Sequence, residues 1–113
     1  EPALLDAVEH AFERAGHDVV ACRSFEDARS KILSERFDAL VTDVRLGAFN
    51  GLQLAVIARA NDPGLGIIVF SGFDDPVLRG EATGLGAAYL VKPVTAEMLM
   101  DELAKLAKDG QPR

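Results

Sequence analysis

The sequence has one cysteine, no tryptophan and no long apolar run. Cys22 has no second cysteine with which to form an internal disulfide, and this favours a reducing compartment such as the cytoplasm. None of the apolar runs approaches the length of a membrane span, and no basic segment followed by an apolar one resembles a secretory leader. We therefore expect a cytoplasmic protein that does not enter a membrane.

A surplus of positive charge is also lacking, since the formal net charge is -6 at pH 7. Nucleic acids and anionic membranes are themselves negative, so this charge disfavours direct binding to either. A partner with a basic or mixed surface is a better match. The 113 residues suffice for one domain, which we expect to occupy 1–108, with 109–113 as a tail or the start of a linker.

Apolar runs that predict strands alternate along the chain with segments whose apolar residues have helical spacing. The first helix is expected from the start of the chain to Gly16, and Ser24 with Asp27 resembles a cap for the second. The predicted strands are Val19–Cys22, Ala39–Thr42, Ile67–Phe70 and Ala87–Val91, and the later helices lie near Leu52–Ala60, near Pro76–Thr83 and after Thr95. Strands that are continuously apolar and alternate with helices indicate an α/β fold, a doubly wound parallel sheet.

Three chemically active residues stand where predicted strands end. Asp43 and Ser71 follow apolar runs, and Lys92 follows Val91. In a parallel sheet these ends share one edge, where ligands bind in this class of fold. Taken singly, the residues could be a loop cap, a turn residue and a surface charge. Together they predict one site.

This set of side chains fits phosphoryl transfer. A carboxylate such as Asp43 can attack phosphorus and form an acyl phosphate. The ammonium of Lys92 and a divalent cation would screen the charge on the phosphoryl oxygens, and Mg2+ suits that role. The Ser71 hydroxyl could donate a hydrogen bond to one of those oxygens.

The motifs around these residues resemble the receiver domain of two-component response regulators. Order and spacing match over nearly the whole chain at Asp43–Leu46, Gly51–Leu52, Phe70–Gly72 and Gly86–Pro93. The resemblance implies a flavodoxin-like sheet with strand order 2-1-3-4-5. It also implies a cis peptide bond between Lys92 and Pro93.

The same resemblance assigns roles to five residues. Asp43 would be the phosphorylated aspartate and Lys92 the invariant lysine. Ser71 would be the switch hydroxyl, and Tyr89 the aromatic residue that turns inward on activation. The side chain of Asp43 and the backbone carbonyl of Arg45 would be ligands of Mg2+.

The chain departs from the family at its beginning. Family members start with a central strand that ends in two acidic residues, and this chain starts after that pair. We expect that the sequence is part of a longer polypeptide, or that the gap is closed by another segment, a partner chain or a rearranged sheet. Without the acidic pair, magnesium affinity and phosphorylation should be impaired. Gly47 and Asn50 also stand where the family usually has proline and often has aspartate.

The implied function is signalling and not enzymatic turnover of a substrate. A sensor histidine kinase or phosphotransfer protein would phosphorylate Asp43, and the domain would catalyse its own phosphorylation and slow hydrolysis. A homodimer could form through the fourth helix, the last strand and the last helix. One alternative is a pseudo-receiver that serves only for docking or dimerisation. Another is a phosphatase or dehalogenase, which is disfavoured because Arg45 stands where such enzymes need a second carboxylate.

Overall fold

The predicted alternation of strands and helices is largely confirmed in the computed structural model, which describes residues 2–46 and 49–110. Most elements begin and end within a few residues of the predicted positions. Within the described residues the helices are α1 (Pro2–Arg14), α2 (Phe25–Ser34), α3 (Gly51–Asn61), α4 (Pro76–Gly84) and α5 (Ala96–Gly110), and the strands are β1 (Ala39–Asp43), β2 (Arg45–Leu46), β3 (Phe49–Asn50), β4 (Gly66–Ser71) and β5 (Ala88–Val91).

The main sheet is parallel and has the strand order β1-β4-β5. Asp43 of β1 lies opposite Phe70 of β4, and Ser71 of β4 lies opposite Val91 of β5. The carboxyl ends of the three strands therefore meet at one edge, as predicted. These strands correspond to the third, fourth and fifth of the family order.

Strand β4 is central in this sheet and is covered on both faces. Because successive side chains of a strand point to opposite faces, Ile67 and Val69 join a buried cluster with α2, α3 and α4. Ile68 and Phe70 join a second cluster with α1 and α5. Burial of one such side chain contributes about 1.5–3 kcal/mol, so β4 anchors both halves of the core. The doubly wound architecture is confirmed.

The predicted strand at Val19–Cys22 is wrong, because residues 17–22 form no regular secondary structure. A strand needs a neighbour with which to exchange backbone hydrogen bonds. In the family order that neighbour is the first strand, and the described residues contain no strand that pairs with residues 17–22. Among the described residues, β1 likewise pairs only with β4 in the parallel sheet.

The segment between β1 and α3 contains a short antiparallel pair. Strands β2 and β3 lie side by side, with Arg45 opposite Asn50. Gly47, one of the departures from the family pattern, lies outside the described residues. The connection from β1 to α3 therefore includes a pair of two-residue strands.

The predicted ends of the first two helices are confirmed. Gly16 has a φ of 97°, and its N–H donates to the carbonyl of Glu13 at 3.0 Å, which closes the helix. The Ser24 hydroxyl accepts a hydrogen bond from the N–H of Asp27 at 3.1 Å and so caps α2. Among the described residues, no helix combines the length and the apolar character needed to cross a bilayer.

Cys22 is a half-buried free thiol. Burial raises its pKa above the ordinary value, and the nearby carboxylates of Asp27 and Glu35 raise it further against the opposing effect of Lys31. Because the thiolate is the reactive form, this environment favours a packing role for the side chain.

Candidate functional site

The edge formed by the strand ends brings Asp43 and Lys92 into direct contact. The Lys92 ammonium Nζ donates a hydrogen bond to Oδ2 of Asp43 at 2.8 Å, although the two residues are 49 positions apart in the chain. The side chains are 16% exposed for Asp43 and 29% exposed for Lys92. Partial burial limits screening by salt, so this ion pair is stronger than a surface pair of equal length. The predicted meeting of these two residues is confirmed.

Backbone contacts hold Asp43 in place. The N–H of Val44 donates to the carbonyl of Phe70 on the adjacent strand at 2.8 Å. The N–H of Arg45 donates to Oδ1 of Asp43 at 2.9 Å. Because Lys92 contacts the other carboxylate oxygen, each oxygen of Asp43 has a donor and the carboxylate is oriented.

The backbone at the end of β1 also explains why position 51 is a glycine. Helix α3 begins directly against the end of β1, and a Cβ on Gly51 would collide with the backbone carbonyl oxygen of Asp43. The N–H of Gly51 donates to the carbonyl of Val44 at 2.6 Å. The Gly51–Leu52 motif is thus explained by the close approach of α3 to the strand that carries Asp43.

Lys92 is positioned by its own backbone. Its N–H donates to the carbonyl of Ser71 at 2.7 Å, which extends the contact between β4 and β5 by one residue. The following bond, between Lys92 and Pro93, is cis, as the resemblance predicts. The ammonium also lies 5.6 Å from the centre of the Phe70 ring.

Ser71 and Tyr89 meet at the backbone of Phe73, in the loop that follows β4. The buried Ser71 hydroxyl accepts a hydrogen bond from the N–H of Phe73 at 3.2 Å. The Tyr89 hydroxyl donates to the carbonyl of the same residue at 2.8 Å. Tyr89 is only 7% exposed, so its ring already lies inside the fold. The two candidate switch residues are thus linked through the backbone of one residue, Phe73.

Sequence reasoning missed the contacts of Arg79. The guanidinium lies 4.9 Å from the centre of the Tyr89 ring and pairs with Asp74 at 2.8 Å. Both charged residues are substantially exposed, so the ion pair itself contributes little. Its effect is to place a cation over the outer face of the Tyr89 ring.

The described residues do not by themselves complete a magnesium site. Mg2+ prefers an octahedral shell of oxygen ligands, which usually combines several waters with one or two carboxylates and phosphate oxygens. No group of three or more histidine, cysteine, aspartate or glutamate side chains lies within coordinating reach of one point in the part of the chain that the structure describes. Asp43 is the carboxylate available, and its two oxygens already accept hydrogen bonds from Arg45 and Lys92.

The arrangement can therefore present an oriented carboxylate beside a fixed ammonium. Such a pair suits attack on an electrophile that carries negative charge, since the ammonium offsets charge repulsion. The Ser71 hydroxyl and the Lys92 backbone stand at the neighbouring strand ends.

Comparison with known protein families gives a match over most of the chain. A family model described as the response regulator receiver domain matches residues 1–104. The response regulator protein FleR of Pseudomonas aeruginosa is 33% identical over 111 residues, which are 97% of this chain and 24% of that protein. The sensory/regulatory protein RpfC of Xanthomonas campestris pv. campestris is 31% identical over 105 residues, which are 88% of this chain and 14% of that protein. The chain thus spans a quarter or less of these two relatives.

Comparison with solved structures gives the same architecture. The CheY-like response regulator receiver domain protein of Methanospirillum hungatei JF-1 superposes with a TM-score of 0.84 at 25% identity. The match covers 96% of this chain and 91% of that structure.

Proposed function

The chain belongs to the response regulator receiver domain family, and we propose that its Asp43 accepts a phosphoryl group. Receiver domains are signalling domains of two-component systems and not classical enzymes, and they interact with histidine kinases or phosphotransfer proteins. The observation that carries the proposal is the 2.8 Å contact between Lys92 Nζ and Asp43 Oδ2. The phosphodonor proposed here is the phosphohistidine of a sensor histidine kinase or of a phosphotransfer protein.

The proposed transfer forms one bond and breaks one. A carboxylate oxygen of Asp43 attacks phosphorus, and the bond from phosphorus to the donor nitrogen breaks, with the electron pair leaving on the imidazole. Lys92 would then contact a phosphoryl oxygen and offset its charge. Attack of water on phosphorus would later release inorganic phosphate and restore the carboxylate. Both steps would be chemistry of the domain itself.

Magnesium remains part of the proposal through the family resemblance. The side chain of Asp43 and the backbone carbonyl of Arg45 would be two of its ligands. When bound, Mg2+ would neutralise charge on the phosphoryl oxygens. The family's acidic pair would have to complete the shell, because the described residues contain no group of three or more histidine, cysteine, aspartate or glutamate side chains that could hold a metal ion.

The proposed readout is a change of population between two states of the domain. A phosphoryl group on Asp43 would draw the Ser71 hydroxyl towards it and away from the N–H of Phe73. The Tyr89 hydroxyl donates a hydrogen bond to the carbonyl of Phe73, so Tyr89 would respond to that movement. Only contacts that differ between the two states can shift the balance. The affected surface would include α4, β5 and α5.

The proposed partners follow from this surface and from the charge of the chain. A second copy could bind through α4, β5 and α5 and form a homodimer. The net charge of -6 makes direct binding of this domain to nucleic acid unfavourable. The proposal retains the cytoplasmic location that a single unpaired cysteine favours.

Labelling with a small phosphodonor tests the assignment of Asp43. We expect acetyl phosphate with Mg2+ to label the wild-type chain weakly, because the acidic pair is missing, and the Asp43→Asn variant not at all, because the amide is a poor nucleophile. Asp101→Asn, which alters an exposed carboxylate of α5, is the matched control and should label as the wild type does. The same set should be measured in a form that carries the family's first strand with its acidic pair.

Two outcomes would count against the proposal. Undiminished labelling of Asp43→Asn would show that another residue accepts the phosphoryl group. Absence of label from the wild type in the form with the acidic pair would favour the pseudo-receiver alternative, in which the domain only docks or dimerises.

A further inference from the structure

The carboxyl end of α4 is held by a single arginine of α3. The half-buried Arg59 donates from Nε to the carbonyl of Leu85 at 2.8 Å. Its Nη1 donates to the carbonyls of Pro63 at 2.8 Å and Leu65 at 2.7 Å, and more weakly to that of Asp62 at 3.4 Å. One guanidinium therefore joins the loop that precedes β4 to the residue that ends α4. Hydrogen bonds from a charged donor are stronger than neutral ones.

The backbone closes the same end of α4 in a second way. Gly86 has a φ of 72°, a conformation that glycine adopts without strain. Its N–H donates to the carbonyl of Thr83 at 2.9 Å, and the N–H of Ala87 donates to the carbonyl of Ala82 at 2.9 Å. This pattern is a Schellman motif, which satisfies the last carbonyls of a helix.

The amino end of α4 is held differently. Its cap, Asp75, accepts hydrogen bonds from Val77 and Leu78 of the same helix, so it does not attach the helix to the rest of the domain. The loop before it is attached through the Phe73 backbone to Ser71 and Tyr89. Both of these residues belong to the candidate site. In its polar contacts, the amino end of α4 is therefore attached through the site and the carboxyl end through Arg59, while Leu78 and Leu85 both pack against the core.

We propose that Arg59 is a positioning residue that fixes the carboxyl end of α4, so that the helix pivots about Leu85 when the contacts at its amino end change. The signal that would change those contacts is phosphorylation of Asp43, and in this respect the inference rests on the proposed function. The attachment itself exists without phosphorylation. Its consequence is that the amino-terminal turn of α4 carries the movement and the turn at Leu85 stays in place.

Amide hydrogen exchange of the full chain, measured residue by residue, tests this inference without a phosphodonor. We expect Arg59→Met to accelerate exchange of Leu85, Gly86 and Ala87 by about tenfold or more, because the guanidinium contact is lost. Exchange of Phe73, Val77 and Leu78 should change by less than about twofold in the same variant. The Tyr89→Phe variant should show the reverse pattern, since only the hydroxyl contact with Phe73 is lost.

Controls separate the local effect from general loss of stability. Ile68 and Val69 of the central strand β4 report global opening, and rates are compared relative to theirs. Arg29→Met removes an exposed arginine of α2 and should alter neither end of α4. Arg59→Lys retains one cationic donor and should give an intermediate acceleration of exchange at Leu85. This variant replaces Arg59→Met in the test if Arg59→Met does not fold.

The inference is overturned if Arg59 variants accelerate both ends of α4 equally or accelerate neither end. It is also overturned if Tyr89→Phe loosens Leu85–Ala87 as much as Phe73–Leu78. Either result would mean that the helix responds as one unit. Labelling with acetyl phosphate plays no part in these measurements, so failure of the proposed function would be recognised separately.

Discussion

The contact between Asp43 and Lys92 predicts a measurable coupling energy. Asp43→Asn removes the negative charge but keeps an oxygen that can accept from the N–H of Arg45. Lys92→Met removes the ammonium and keeps an unbranched side chain of similar length. These two variants, with the double variant and the wild type, form a double-mutant cycle that isolates the pair.

The magnitude follows from the distance and the exposure of the two side chains. Two unit charges at the observed 2.8 Å attract by about 6 kcal/mol at an effective dielectric constant of about 20. Desolvation and the ordering of the lysine side chain offset most of this. Exposed pairs couple by about 0.2–1 kcal/mol. With exposures of only 16% and 29%, we expect about 1–2 kcal/mol for Asp43 with Lys92.

Urea unfolding at pH 7 with linear extrapolation measures the four stabilities. The exposed pair Lys31 and Glu35, one helical turn apart at 3.1 Å, provides a matched cycle through Lys31→Met and Glu35→Gln. There we expect about 0.3–0.5 kcal/mol, reduced further by salt. A coupling for Asp43 with Lys92 that is no larger than for this surface pair would refute the reasoning.

Two further predictions concern backbone geometry and helix capping. Gly51→Ala should lower the free energy of unfolding by about 2 kcal/mol or more, since the added Cβ would meet the carbonyl oxygen of Asp43. The control, Gly80→Ala, lies in an open position of α4 and should raise the free energy of unfolding by about 0.5–1 kcal/mol. Equal effects in urea unfolding would contradict the steric argument. Ser24→Ala should cost about 1 kcal/mol through loss of the α2 cap, and Ser30→Ala, at an exposed position inside that helix, should cost nothing. Thermal unfolding that ranks the two serine variants in the opposite order would exclude the capping role.

The strands of the main sheet were predictable because each is a continuous apolar run. Buried parallel strands require that pattern, and β1, β4 and β5 have it. Val19–Cys22 has a similar pattern and forms no strand, because pairing depends on a neighbour and not on the run itself. The β2–β3 pair was missed since two residues are too few to show a period.

The placement of Asp43 and Lys92 at one edge was predictable from topology, since parallel strands have their carboxyl ends on the same side. Their direct contact depends on the length of the lysine side chain, because β4 lies between β1 and β5. The meeting of Ser71 and Tyr89 at Phe73 was not, because it depends on the path of one loop. Arg59 carries no sequence signal of its role, since a long side chain can reach backbone carbonyls of any loop within its length.

Chemical trapping of the phosphorylated residue tests the central claim most directly. Borohydride reduces an aspartyl phosphate to homoserine, and mass spectrometry of the digested protein locates the changed residue. In a form that carries the family's first strand, treated with acetyl phosphate and Mg2+, we predict homoserine at position 43. Homoserine at another aspartate, or unaltered Asp43 after this treatment, would contradict it.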